Sequence, residues 1–252
     1  EKTVTLNSDI TTKEGHLTLT CKHNDHGGLA LAKAAGEKNV QNIQAKTVLK
    51  IDAKYITSVA HVTVVADTKN VHITAAGGGI TTAQATVVAA TSIDVTGVWI
   101  ASSHIALTST TASITLQSDL KTAGATVLAD TAVTVVGAWE ASSHIALTST
   151  TASITLNSDI ITNAGHLTVT CNDNTNGGLR LAKVAGEKIV QNIQAKENLS
   201  IDAKDITSAA VVTATADTGT VTVTGAWAAA KQVAVTSLVK TVTLNSDITT
   251  KE

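Results

Sequence analysis

The 252-residue chain contains no proline, no phenylalanine and no methionine, and it has three tryptophans, one tyrosine, two cysteines and a single arginine, Arg180. Each shortage excludes something. A globular domain of this length normally fills a thick core with large aromatics. A chain without them needs a core only one or two small side chains deep. Proline cannot donate to a β-ladder, so its absence suits a fold in which nearly every strand is paired on both sides. Two cysteines are too few for a disulfide-stapled scaffold. Cys21 and Cys171 occupy matching places in His-Leu-Thr-Leu-Thr-Cys and His-Leu-Thr-Val-Thr-Cys, and each reads as a small buried residue ending a strand.

Charge is also sparse and nearly balanced, with a formal net charge of −2. Lysines are scattered singly, and no basic stripe interleaves with aromatics, so a nucleic-acid partner is not expected. No apolar run approaches the roughly 18–20 residues that cross a bilayer as a helix. No Gly-x-Ser-x-Gly elbow, Walker loop or dinucleotide fingerprint occurs. The carboxylates are dispersed rather than gathered into one groove. No catalytic residue, metal site or cofactor is therefore expected, and the chain does not read as an enzyme.

What is present is repetition. Residues 101–116 recur unchanged at 141–156. A longer segment beginning near Thr5 recurs at an offset of 150, so that Val40–Lys46 matches Val190–Lys196 and Ile51–Lys54 matches Ile201–Lys204. Residues 2–14 are identical to residues 240–252. This last recurrence is read as one period of a tandem array, 238 residues long, plus an overlap, or as ends made alike for stacking. Either way the object is one-dimensional.

Beneath these offsets run alternating apolar triplets, among them Val4/Leu6, Leu17/Leu19, Ile93/Val95, Ile105/Leu107 and Ile114/Leu116. Their period of two and their Val, Ile and Thr content mark short strands. Polar clusters such as Asn7-Ser8-Asp9 and Ser102-Ser103 separate them. Hairpin Asn-Gly and Asp-Gly pairs are missing, and no stretch shows a capped helical period. Residues 30–46, the best helix candidate, are interrupted by Gly36 and read as strand, turn and strand. The expected fold is all-β: a right-handed parallel β-helix, or β-solenoid, running continuously over residues 1–252. Two strands would make a coil of about 20 residues. A 238-residue period would then hold roughly 12 coils and extend nearly 60 Å.

Side-chain roles follow from that fold. The motif [Asn/Gln]-Ser-Asp-[Ile/Leu] occurs four times. Asn7, Asp9, Asp119, Asn157, Asp159, Asn245 and Asp247 are therefore read as structural turn residues that bond neighbouring backbone. Trp99, Trp139 and Trp227 share a Gly-[Val/Ala]-Trp context and are read as candidate surface-binding aromatics on a corner or rim. The cluster His23-Asn24-Asp25-His26 is read as a solvated turn, because its copy Asn172-Asp173-Asn174-Thr175-Asn176 keeps no histidine. His104 and His144, in identical Ser-Ser-His-Ile segments, are read as corner or surface residues.

Segments such as Gly165-His166-Leu167-Thr168-Val169-Thr170, Gly77 to Ala90 and Thr91-Ser92-Ile93-Asp94-Val95-Thr96-Gly97 resemble the repeat regions of filamentous-haemagglutinin-like exoproteins. These are bacterial adhesins of the two-partner secretion type. The resemblance implies an extracellular or cell-surface location and a stalk-like structural role. It also implies partners in the form of further copies of the chain, a host surface or a glycan. The alternative expectation is an ice- or carbohydrate-binding solenoid, suggested by Thr-x-Thr triplets at Thr3/Thr5, Thr18/Thr20 and Thr222/Thr224.

Overall fold

The structure, a computed structural model, describes residues 3–21, 28–31, 40–172, 178–183 and 190–251. The His23–His26 cluster and the Gly36 turn lie outside the described residues. Those residues form one continuous parallel β-solenoid with no helix among them. It makes about 11 turns of about 21 residues each.

The coil has three strands, not two. In a central coil, Gln84–Ala89 is followed by Ile93–Thr96 and Trp99–Ala101, and then His104–Ser109 begins the next level. His104–Ser109 lies in parallel register on Gln84–Ala89, Ile114–Leu116 on Ile93–Thr96, and Leu120–Thr122 on Trp99–Ala101. Three flat faces result. The first begins with Thr3–Leu6, the second with Ile10–Thr11 and the third with Leu17–Cys21. Four long strands (Leu49–Ser58, Val71–Thr82, Leu199–Ser208 and Val221–Ala229) bend across the corner between two faces and serve both.

The period-two pattern fixes which side chains enter the tube. Strand after strand alternates buried and half-buried residues, as expected when successive side chains point to opposite faces. The inward positions stack in columns. On the second face one column climbs from Ile10 and Ile43 through Val64, Val87, Leu107, Val127 and Leu147 to Val169, Ile201, Val223 and Leu244. Ladder bonds extend into the corners. Trp99 N donates to Asp119 O (2.9 Å), Gln117 N to Val95 O (3.0 Å), Asn157 N to Val135 O (2.8 Å) and Ser143 N to Ala123 O (2.7 Å). A chain whose corner amides are used this way has little room for proline.

The offsets in the sequence take a structural meaning. Forty residues span two coils, so His104–Ser109 and the strand Ile145–Ser149 share the second face, with Gly124–Ala129 between them. The offset of 150 does not close on whole coils. The first copy of the Thr-Leu-Asn-Ser-Asp corner joins the first face to the second, whereas Asn157–Asp159 joins the third to the first. Asn245–Asp247 joins the second face to the third. One turn motif therefore serves all three corners.

Candidate functional site

Three kinds of place could carry function in such a tube: its corners, its interior and its two ends. The turn residues are built as inter-coil clamps. Asp9 Oδ1 accepts the amide of Asn42 (2.8 Å), Asp119 Oδ1 that of Ala138 (2.8 Å) and Asp159 Oδ1 that of Asn192 (2.7 Å). In each case the donor lies one coil above and belongs to the residue just before the inward side chain that stacks on the one following the Asp, as the registers Ile10 with Ile43, Leu120 with Trp139 and Ile160 with Ile193 place it. Asp159 also receives Lys183 Nζ at 2.7 Å. Asn245 Nδ2 donates to Thr224 Oγ1 (3.1 Å), while Asn7 and Asn157 occupy the matching corner places in the first coil and in mid-rod.

Two further corner residues escaped the sequence reading. Gln41 and Gln191 are fully buried. Gln41 Nε2 donates to Leu6 O (3.1 Å) and Ser8 O (3.2 Å), and Gln191 Nε2 to Leu156 O (3.0 Å) and Ser158 O (3.1 Å). Each amide ties down the carbonyls of the turn beneath it. The signal was the alternation Gln-x-Ile-x-Ala, which puts Gln41 inward with Ile43 and Ala45.

The tryptophans require a correction. Trp99, Trp139 and Trp227 are only 3%, 1% and 1% exposed, so none presents a ring at a rim. Trp99 and Trp139 lie in the first-face column Ile80, Trp99, Leu120, Trp139, Ile160, and Trp227 lies between Ile206 and Ile248 on the third face. The preceding glycine explains their direction. Gly97 and Gly225 adopt φ of 119°, and a Cβ there would come within 2.5 Å of Ala75 O and 1.7 Å of Ala203 O. The corner thus hugs the coil below, and the next inward position receives the indole. Inward hydroxyls meet two of them: Trp99 Nε1 donates to Thr82 Oγ1 (3.1 Å) and Trp227 Nε1 to Ser208 Oγ (3.2 Å). Trp139 Nε1 is buried without a partner.

The other sequence candidates separate in space. Cys21 ends a third-face strand and Cys171 a second-face strand; both are buried free thiols. Burial raises the pKa of each thiol, that of Cys171 to about 11, where a backbone bond at Ile154 works against the shift and Asp202 adds to it. The Thr-x-Thr triplets lie on different faces: Thr3/Thr5 on the first, Thr222/Thr224 on the second and Thr18/Thr20 on the third. They build no single flat array. An open groove of about 450 Å³ marks the corner at Gly77–Gly79 and Gly97, where three residues bulge opposite Lys54. It is walled by backbone, Thr96, Val98 and Ser118 and holds no ionisable group.

Among the described residues no group of three or more His, Cys, Asp or Glu side chains converges, and no helix is long and apolar enough to cross a membrane. Ion pairs instead link successive coils, as in Lys121 with Glu140 (3.4 Å) and Lys196 with Asp217 (3.2 Å), and His72 Nδ1 lies 3.1 Å from Asp94 Oδ2 in the next coil. Comparison with family models, curated proteins and solved structures finds no match.

The two ends differ from everything between them. In the first coil Val4 is 46% exposed, and in the last coil Val242 and Leu244 are 40% and 45% exposed, although Ile154 and Leu156, the same motif positions in mid-rod, are completely buried.

Proposed function

We propose that this chain is a structural segment of an extracellular bacterial fibre or adhesin stalk, in which one solenoid continues into, or stacks upon, the next. The observation that carries the reading is the stacking itself: parallel strands and apolar columns, such as Ile43, Val64, Val87 and Leu107, rise from coil to coil in register, and a strand edge is a template for further pairing. Corner chemistry points the same way. Asp9, Asp119 and Asp159 each hold an amide one coil above. Asp247 has the same place in the motif on the last described coil, where a following coil would bring the matching amide. The uninterrupted parallel ladder supplies axial stiffness, and the resemblance to haemagglutinin-like repeats supplies the cell-surface setting and the host surface or glycan at the far end of the stalk.

A covalent array with the 238-residue period moves the repeated segment from the first face to the second, turning each copy by a third of a coil. Negative-stain electron microscopy with sedimentation velocity, over a concentration series of the purified chain, tests the proposal. Rods should appear in length steps of about 50 Å, from a rise of about 4.8 Å per coil. The double variant Val242→Asp/Leu244→Asp should reduce them to single units. Single units at every concentration, for the unaltered chain, would overturn it.

A further inference from the structure

Two histidines face one another across a glycine. His104 opens a second-face strand directly opposite Gly124, and the register Ala125 with Ile145 sets His144 one coil further on, opposite the same glycine. Side chains at one position in alternate coils are roughly 9.6 Å apart along the axis, twice the strand spacing. Here the rings lean together, with centroids 5.6 Å apart and planes inclined by 34°. Gly124 supplies the room. A Cβ on it would lie 3.0 Å from His104 Nδ1 and 3.4 Å from His144 Cε1, so the space between the imidazoles is the space an alanine would fill.

Three other histidines have partners of their own. His61 Nε2 meets Thr86 Oγ1 (2.9 Å), His72 meets Asp94 and His166 meets Glu197 (3.3 Å). The facing pair arises because the recurring Ser-Ser-His-Ile module returns after two coils and the intervening coil carries glycine at that position. Ser143 Oγ lies 3.1 Å from His144 Nδ1, fixing that ring's orientation and leaving Nε2 for another partner.

We propose that His104 and His144 form a two-histidine site for a divalent transition-metal ion of the zinc, nickel or copper class, held over Gly124. Two imidazoles bound to one tetrahedral zinc, at Zn–N distances of about 2.0–2.1 Å, have ring centroids roughly 5 Å apart, close to the separation present before any ion arrives. Imidazole nitrogen suits these ions, with copper bound most tightly. His144 is exposed, so the remaining coordination positions open to water. The site stands apart from the ends of the rod and does not depend on the structural role proposed above.

Calorimetric titration of the full chain with zinc chloride, repeated on H104Q, H144Q and G124A, tests this, with far-UV circular dichroism verifying the fold of each. Each variant should bind one zinc ion fewer per chain than the unaltered protein. G124A is the sharpest comparison because it keeps both imidazoles and fills only the gap between them. An unchanged zinc count in H104Q or H144Q would overturn the proposal. So would a folded G124A that still binds the ion, since binding would then use single imidazoles rather than the pair. If G124A does not fold, the exposed H144Q alone decides.

Discussion

Residues 4–21 and 154–171 are nearly the same sequence in two different settings. The first stretch runs from the first face through the second to the third; the second runs from the third through the first to the second. Local structure ignores the change of face. Asp9 and Asp159 clamp the equivalent amides of Asn42 and Asn192, Gln41 and Gln191 bind the equivalent turn carbonyls, and Gly15 and Gly165 both take φ of 77°. Thr47 N and Glu197 N donate to their carbonyls at the same 2.9 Å. The unit that repeats is therefore a strand with its corner, not a coil, and the three faces are interchangeable. What differs is burial: Leu17 and Leu19 are half-buried in the first coil, while Leu167 and Val169 are fully enclosed. Stability in a solenoid is a sum of repeat and nearest-neighbour terms, and an end coil has one neighbour.

The widest gap between the copies should appear in the core. Leu156 is completely buried, whereas Leu6, its counterpart, is packed from one side. Leu156→Ala should cost about 2–5 kcal/mol, the range for a buried leucine. Leu6→Ala, measured on dilute protein, should cost under about 1 kcal/mol, nearer to a surface change. Urea midpoints of the two variants check this. Equal losses would mean that the first coil is covered in solution, which would itself sharpen the case for stacking.

A second contrast lies in the thiols. Burial holds Cys171 at a pKa of about 11, against a starting value of 9.0, and raises Cys21 as well. Only the thiolate attacks a disulfide reagent, and two pKa units reduce its population about 100-fold. Cys21, on the open first coil, should be labelled first. Cys171 should lag an ordinary thiol by about two orders of magnitude. Timed labelling followed by peptide mapping reads both rates; simultaneous modification would show that mid-rod and end coils open together.

The architecture was legible because inward positions of period two and absent hairpin signals leave few alternatives. The coil was misread by one strand for a physical reason. On the first face the inward pairs are Trp99 with Ala101, Leu120 with Thr122 and Ile160 with Thr162, and a small or hydroxylated second residue breaks the apolar alternation. A rhythm of two strands per coil was then the visible one. The tryptophans were misplaced by the same gap: next to glycine they look like rim residues, yet that glycine lets the corner sink and the indole turn inward. The histidine pair was hidden differently. Recurrence after 40 residues was visible, but its meaning required the coil length and the glycine in the coil between. The Asp clamps were legible as turn chemistry, since carboxylates at such corners have backbone amides within reach.

The smallest contrast isolates the neighbour term from the local one. Gly15 and Gly165 share a left-handed conformation that costs an L-residue about 1–2 kcal/mol, so both Gly15→Ala and Gly165→Ala should destabilise. A Cβ at Gly15 meets nothing within 4 Å, whereas at Gly165 it lies 3.0 Å from Ser143 O and 3.2 Å from Ser143 C, in the backbone of the coil beneath. Backbone yields less readily than a side-chain tip, so Gly165→Ala should cost roughly 1 kcal/mol more than Gly15→Ala. Chemical denaturation of the two variants side by side gives the difference. Because conformation and sequence are matched, that difference measures what one coil feels from the next. If it vanished, the corner at Ser143 would have to shift freely against the ladder, and the picture of rigid, interchangeable corners would fail at that level.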